Sequence, residues 1–346
     1  MVTDLTIDTS DSLMSEEKEL ELKKLSSDVE AAYERIKSYI YKTPLMFSKQ
    51  ISLETGANVF LKLESEQVTG SCKIRGAFNK ILLLKEREPE SLSKGIVTAS
   101  SGNHGIACMH VGKICGCSVE VYCRENVSKS KLETLLLYGA KVSRHGKDCV
   151  DAELKARQTA KEREPVYLSP YNDWDVMIGQ GTVGYEIYSE LPEVDFVLVS
   201  VGGGGLIGGT VAFLKDRNPK IKVIGCQPRN SKVMFESVKA GHIQHEPSYD
   251  TLSDGTAGDI EDGSVTFPVC SKFVDDWILV DEQQISDAVF FMLDKHHKHL
   301  LWPTSRCLVL WLCFGKSVLP GYLPIPSGIS THTFYLLLSI IIDVIC

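Results

Sequence analysis

Short β-branched runs recur along this chain, and each is followed by a stretch that can close into an amphipathic helix. GIVTAS (95–100), SVEVYC (118–123), AKVSRH (140–145), PVYLSP (165–170), DFVLVSV (195–201) and IKVIGCQ (221–227) make up the series. Apolar runs of this length bounded by turn residues read as buried strands, and the stretches between them as crossover helices. Strand alternating with helix in this way predicts an α/β architecture of two open, mostly parallel twisted sheets flanked by helices. Ligands of such sheets sit beyond the carboxyl ends of the strands, so functional residues are expected in the loops that follow them. Three such loops stand out: SSGNHG (100–105), VGGGGLIGG (201–209) and the stretch TGSCKIRGAFNK (69–80) around Lys73.

The two ends of the chain depart from this alternation. Residues 1–27 are polar and rich in Ser, Asp and Glu, which predicts a disordered arm. Folded structure is expected from Ser27, where Ser27 and Glu30 have capping-box spacing; Leu25, Val29, Tyr33, Ile36 and Ile40 recur at helical period until Thr43 and Pro44. From His299 to Cys346 the only charged residues are Arg306, Lys316 and Asp343, and the alternation stops. FYLLLSIII (334–342) is shorter than the about 18 to 20 apolar residues a bilayer span needs. No membrane span is expected, and a buried strand, a disordered apolar tail or an interfacial contact all remain open for it.

Charge and cysteine usage narrow the class of partner. A formal charge of -8 argues against binding nucleic acid through a general basic field, which leaves a small molecule as the expected partner. The 11 cysteines are odd in number and lie mostly in apolar runs, and the N-terminus has no apolar signal core. Reduced thiols in a cytoplasmic protein follow. Cys115 and Cys117, in ICGC, have neither zinc-pair nor CxxC spacing and read as core.

The loops carry the chemistry. Four consecutive glycines, Gly202, Gly203, Gly204 and Gly205, stand between a buried strand and a helix opening near Leu206. They leave backbone N–H groups uncovered at the positive end of a helix dipole, which makes a phosphate cradle. The competing reading is close strand-to-helix packing that tolerates glycine, although each glycine costs roughly 0.5–1 kcal/mol relative to alanine. Gly203, Gly205 and Gly208 also fit GxGxxG, but a dinucleotide site needs an acidic residue about 20 positions on, and the next strand ends in Gln227. SSGNHG offers the hydroxyls of Ser100 and Ser101, the backbone of Gly102, the amide of Asn103 and a helix N-terminus, which suits a carboxylate and a polar ring substituent. His104 reads as a packing or orienting histidine rather than a base. A phosphate cradle, a carboxylate loop and a lysine among small residues are together the parts that hold pyridoxal 5'-phosphate: phosphate anchored, ring hydrogen-bonded, aldehyde linked to the amine of Lys73.

SCKIRGA, SSGNHG and GGGGLIGG, in this order and at these separations, resemble the pyridoxal-phosphate enzymes of the tryptophan synthase β superfamily, and among them the threonine and serine dehydratases and serine racemase. YKTPL (41–45), GQGT (179–182) and LSDGTAGDIEDG (252–263) extend the resemblance over roughly residues 28–298. It implies that Lys73 holds the cofactor, that Asn103 touches the ring hydroxyl, and that Gly202 to Gly205 with Leu206 hold the phosphate. Ser101 would face the opposite side of the substrate plane, and Ser100, Ser101, Gly102, Asn103 and His104 would line the substrate. The implied activity is β-elimination on L-threonine or L-serine to a 2-oxo acid and ammonia, with racemisation competing if Ser101 reprotonates the other face. A larger domain (28–64 plus 161–298) and a smaller inserted one (65–160) would meet at the cofactor, and a homodimer is expected by resemblance alone.

Three departures bear on this expectation. Cys72 stands where the family often has Phe before the lysine. QPRNSKV (227–233) has Gln227 and Val233 where racemase-like relatives place carboxylates around a divalent cation, so no metal is expected there. After residue 298 the family's last strand and helix, with a Ser, Thr or Cys beside a glycine pair that bonds the pyridine nitrogen, are not recognisable. A large domain without its last strand and helix, with an exposed apolar sheet edge, would follow. Two other readings therefore stand beside the lyase: a catalytically impaired isoform, and a β-replacement enzyme such as a cysteine synthase.

Overall fold

The computed structural model describes residues 16–100, 102–147, 149–296 and 335–340. Its strands are β1 (Leu45–Phe47), β2 (Asn58–Leu63), β3 (Ile96–Ala99), β4 (Val119–Cys123), β5 (Lys141–Arg144), β6 (Val166–Tyr167), β7 (Phe196–Ser200), β8 (Lys222–Pro228), β9 (Asp276–Val280) and β10 (Tyr335–Ile340). Its helices are α1 (Glu16–Ile36), α2 (Lys49–Thr55), α3 (Lys73–Arg87), α4 (Pro89–Ser93), α5 (Asn103–Cys115), α6 (Lys129–Leu137), α7 (Cys149–Arg163), α8 (Trp174–Glu190), α9 (Gly205–Arg217), α10 (Val233–Ala240), α11 (Thr266–Phe273) and α12 (Glu282–His296). The larger sheet has the order β1-β2-β10-β7-β8-β9 and the smaller β5-β4-β3-β6. Every ladder is parallel except that of β1 with β2. The expected pair of mostly parallel sheets flanked by helices is therefore the fold.

Alternation along the strands explains the layers. On β7, Val197 and Val199 face the core built by α1, α8, α9 and α11, whereas Phe196 and Leu198 face Ile285, Ala288 and Met292 of α12. The smaller sheet divides the same way: Val119 and Val121 of β4 face α3 and α5, and Tyr122 faces Ala152 and Ala156 of α7. Cys115 and Cys117 pack against the first of these layers as free thiols. No helix among the described residues is long and apolar enough to cross a membrane.

Three expectations change. The first helix begins at Glu16 rather than Ser27, because Leu22 and Leu25 extend its buried stripe to Val29, Ala32 and Ile36 beneath a polar composition. Glu16, Glu17 and Glu19 occupy its first turn, where the helix dipole favours acids. Val166 and Tyr167 pair with Ile96 and Val97, which puts β6 in the smaller sheet, beyond the expected boundary at 160. Residues 335–340 form β10, paired with β2 on one side and β7 on the other, so the gap expected in the larger sheet is filled. An uncharged run of Tyr, Leu, Ser and Ile suits a central parallel strand, which is covered on both faces. Ser339 stands in register with Lys62 and Val199. The rest of the tail lies outside the described residues.

Beneath the junction of the sheets lies a buried group of four charges. Arg75 on α3 is fully buried and grips two carboxylates, with Nε and Nη2 each 2.8 Å from Glu64 and Nη1 and Nη2 at 2.7 and 2.9 Å from Glu186 on α8. Lys62 Nζ on β2 donates to Glu186 at 2.7 Å and to the Thr43 carbonyl at 2.7 Å. Thr182 and Thr43 hydroxyls complete the shell around the guanidinium. Two cations and two anions cancel, and the donors are matched to acceptors, as burial of such ions requires.

Burial pushes the Glu186 carboxyl up, but Arg75 and then Lys62 outweigh it and hold it below its ordinary value of 4.5. A depressed folded value means that the stabilisation is complete above the ordinary carboxylate range and is lost as pH falls through the folded value. Glu186→Gln should cost about 3–5 kcal/mol near pH 7, because it leaves buried cations uncompensated, and should flatten the decline of stability with acid. Urea denaturation midpoints across pH measure both. Leu337→Pro, which removes one N–H from a strand paired on both sides, should abolish the cooperative transition or the soluble yield. An unchanged midpoint would rule β10 out of the sheet.

Candidate active site

Lys73 is the first residue of α3, two positions before Arg75, and its backbone N–H is 3.4 Å from the Ser71 hydroxyl. The side chain is 8% exposed, and its Nζ lies 3.4 Å from the carbonyl of Pro170, just beyond the carboxyl end of β6. Ion pairing of Arg75 beneath it fixes the start of the helix, so the lysine is delivered by a rigid element rather than by a loop.

The glycine run faces Lys73 across one cleft, which Tyr171, Ser200, Val201, Gly255 and Thr256 also line. The first backbone bond of α9 runs from Gly208 N–H to the Gly204 carbonyl at 2.9 Å. The amides of Gly205, Leu206 and Ile207 precede it and have no partner within the helix. Gly204 takes φ +85°, which side chains rarely adopt, and a Cβ on Gly203 would stand 2.3 Å from Cγ of Tyr171. The Thr266 hydroxyl donates to the Gly203 carbonyl at 2.6 Å, and the Cys270 thiol, pushed up to about 12 by burial, stays neutral beneath the loop. Bare amides at a helix N-terminus, with side chains excluded by geometry, form an anion cradle.

SSGNHG opens α5 in the smaller sheet. Gly102 is the N-cap, Ser100 Oγ accepts from its N–H at 3.3 Å, and the first helical bond is Ile106 N–H to the Gly102 carbonyl. Asn103 is 6% exposed and His104 is fully buried. His104 Nε2 is 3.1 Å from the Leu168 carbonyl, and burial, with Lys73 nearby, lowers its pKa to about 3. It is a neutral ring. Ser101 lies outside the described residues.

LSDGTAGDIEDG ties the two halves together. Gly255 and Thr256 line the cleft, Asp254 pairs with Lys131 of α6 at 3.5 Å, and Glu261 pairs with Arg157 of α7. Glu261 also accepts from Asn172 at 3.0 Å, and its backbone N–H donates to the Tyr171 hydroxyl at 3.0 Å. Burial raises the pKa of Tyr171, so it remains a phenol. At the position expected to carry no metal, Gln227 Oε1 accepts from Phe235 N–H at 2.8 Å and caps the start of α10. Among the described residues no three His, Cys, Asp or Glu side chains gather as a metal site.

The structure thus brings Lys73 and Gly202 to Leu206 into one cleft and sets Ser100, Gly102, Asn103 and His104 at the neighbouring helix start. Sequence reasoning missed Tyr171, Gly255, Thr256 and Thr266 as site residues. The rule that ligands lie beyond strand ends pointed at Tyr171, because the PVYLSP run holds β6 and Tyr171 follows it.

These residues fit pyridoxal phosphate. Alanine side chains would fill the cradle at Gly203, the amides of Gly205 to Ile207 suit a phosphate, and a primary amine opens into the same cleft. Comparison with known proteins agrees. Residues 36–310 match the family described as pyridoxal-phosphate dependent enzyme. The L-threonine ammonia-lyase of Thermotoga maritima is 37% identical over 268 residues, 78% of this chain and 66% of that protein, slightly under two thirds of its length. The catabolic L-threonine dehydratase TdcB of Staphylococcus aureus is 40% identical over 269 residues, 78% of this chain and 77% of that protein. Among solved structures, maize serine racemase superposes with a TM-score of 0.83 at 29% identity, covering 93% of this chain and 94% of that one. The processed threonine deaminase isoform 2 of Solanum lycopersicum gives 0.81 at 28% identity, covering 93% and 84%.

Gly203→Ala should cost about 1–3 kcal/mol of folding stability through its collision with Tyr171 and weaken pyridoxal phosphate binding with it. Placing the same change in a Tyr171→Ala background should restore part of the affinity, read by absorbance titration.

Proposed function

The chain belongs to the pyridoxal-phosphate dependent enzymes, and on that premise we propose that it is an ammonia-lyase acting on L-threonine or L-serine. The observation that carries the reading is that Lys73 and the glycine run line one cleft. Bound there, pyridoxal phosphate supplies an electron sink that acidifies the proton on the substrate Cα.

The chain's own residues do the rest. Lys73 would hold the cofactor through its amine and, once the substrate has displaced it, take the Cα proton. The amides from Gly205 to Ile207 would hold the phosphate and Asn103 the ring hydroxyl. Ser100 and the amides opening α5 would bind the substrate carboxylate, which orients the Cα proton toward Lys73. Tyr171 and Thr256 line the cleft and would help to shield it from water. The substrate loses its Cα proton and its Cβ hydroxyl, the latter leaving as water, and hydrolysis releases ammonia and a 2-oxo acid. Ser101 is the residue proposed for the opposite face, where a returned proton would give the other enantiomer.

The relatives named for threonine support this substrate class over β-replacement, which needs an added thiol. The impaired-isoform reading drew on a missing last strand, helix and pyridine-nitrogen residue; β10 supplies a strand, and the other two fall outside the described residues. The proposed setting is the cytoplasm and the proposed assembly a homodimer, with no nucleic acid partner. Borohydride reduction of the purified protein followed by peptide mapping should find the pyridoxyl group on Lys73, and L-threonine or L-serine should yield a 2-oxo acid without added thiol. Label on another lysine, or a folded protein that takes up no cofactor, would sink the proposal.

A further inference from the structure

We propose that His104 is a positioning residue for Lys73, holding as a neutral hydrogen-bond donor the chain segment on which the lysine amine rests. The inference rests on the reading of Lys73 as the cofactor-holding amine, and goes beyond it in naming what fixes that amine. Nothing in the sequence ties His104 to Lys73, since 31 positions separate them and they open different helices.

The link runs through the end of β6. The Leu168 carbonyl accepts from two buried side chains, the Thr98 hydroxyl at 2.8 Å and His104 Nε2 at 3.1 Å. Leu168 N–H in turn donates to the Val97 carbonyl at 2.9 Å, so this residue is gripped on both sides. Two residues later the carbonyl of Pro170 meets Lys73 Nζ at 3.4 Å. Between them the Ser169 hydroxyl accepts from Asn172 N–H at 3.0 Å and closes the turn around Pro170, whose ring fixes φ, so the segment carrying the Pro170 carbonyl is held from both ends.

The chemistry of the contact also assigns the tautomer. A carbonyl oxygen only accepts, so Nε2 must carry the ring proton. Nδ1 is then a bare acceptor, and among the described residues it has no partner. Cys108 Sγ lies 3.4 Å from Nε2 and, as a buried thiol, adds no charge. A ring so placed would lose by gaining a second proton, because the charge would be buried, unpaired and close to the Lys73 amine. His104 therefore acts as a donor of fixed direction, which an imidazole locked in a core supplies and a flexible side chain does not.

The test compares a variant that removes the donor with one that keeps it. His104→Leu fills the space without donating, whereas His104→Gln can still donate from Nε2. In the cofactor-free protein, labelling of Lys73 by trinitrobenzenesulfonate, read by peptide mapping, should rise about fivefold in His104→Leu, the worth of about one hydrogen bond, and stay within about twofold of wild type in His104→Gln. In the loaded enzyme His104→Leu should lower kcat by at least about fivefold and leave KM within about twofold, with recovery in His104→Gln. Thr98→Val removes the other donor to the same carbonyl with little change in shape; it should move both readouts in the same direction and serves if His104→Leu fails to fold. Wild-type labelling and kcat in folded His104→Leu or Thr98→Val, or no recovery in His104→Gln, would overturn the proposal. Failure of pyridoxal phosphate to load on wild-type Lys73 would instead sink the cofactor reading and leave the labelling comparison readable.

Discussion

The guanidinium of Arg75, held between Glu64 and Glu186, is the contact on which the geometry of the site depends. It joins the turn after β2, the start of α3 and the middle of α8, and Lys62 adds β2 itself through the same carboxylate. An apolar cluster in this place would tolerate small shifts, because dispersion is not directional. A doubly bidentate arginine does not, because each N–H must meet its own oxygen and every lost contact strands a charge out of water. Lys73 sits two residues along the same helix and inherits that fixity.

The cleft itself is built on the opposite principle, with backbone left bare. The amides of Gly205, Leu206 and Ile207 have no partner within the helix, beside glycines where a Cβ would meet Tyr171 or Thr256, and the start of α5 repeats the open helix N-terminus in the smaller sheet. Each helix starts beyond the carboxyl end of a strand, α9 after β7 and α5 after β3, and its positive end favours an anion there. Neutral groups line or back the cleft: Tyr171 is a phenol, Cys270 a thiol beneath the glycine loop, and His104 an uncharged ring at the start of α5. Asp254 and Glu261 meet cations from α6 and α7 and so fasten the cleft-lining segment of one half to the helices of the other.

Much of the fold was legible because parallel sheets mark their strands with continuous β-branched runs. What escaped had specific causes. The first turns of α1 escaped because Leu20 and Leu22 are the two apolar residues from Glu16 to Lys24, a stretch otherwise of Glu and Lys that composition reads as solvated. The sheet membership of β6 escaped because Val166 finds its partner Ile96 far away in sequence, and no local signal names a partner. The tail strand escaped because it follows no helix pattern, although its apolar run left a buried strand open. Within the site, Lys73 and the glycines declared themselves by residue type and spacing. Tyr171 and Thr256 did not, since an aromatic after a strand and a threonine in a polar loop are common features.

The sequence by itself determined the alternating architecture, a glycine run suited to phosphate and a lysine suited to pyridoxal phosphate, because each depends on local residue type: β-branched side chains for strands, absent side chains in the glycine run, a primary amine at Lys73. The tertiary structure alone decided which charges are buried, which carbonyl meets Lys73 and which strand lies between β2 and β7. Lys62, Glu64 and Glu186 read singly as solvated charges, and only folding puts them around Arg75, because the distance between ions, not their order in the chain, sets whether burial costs or stabilises.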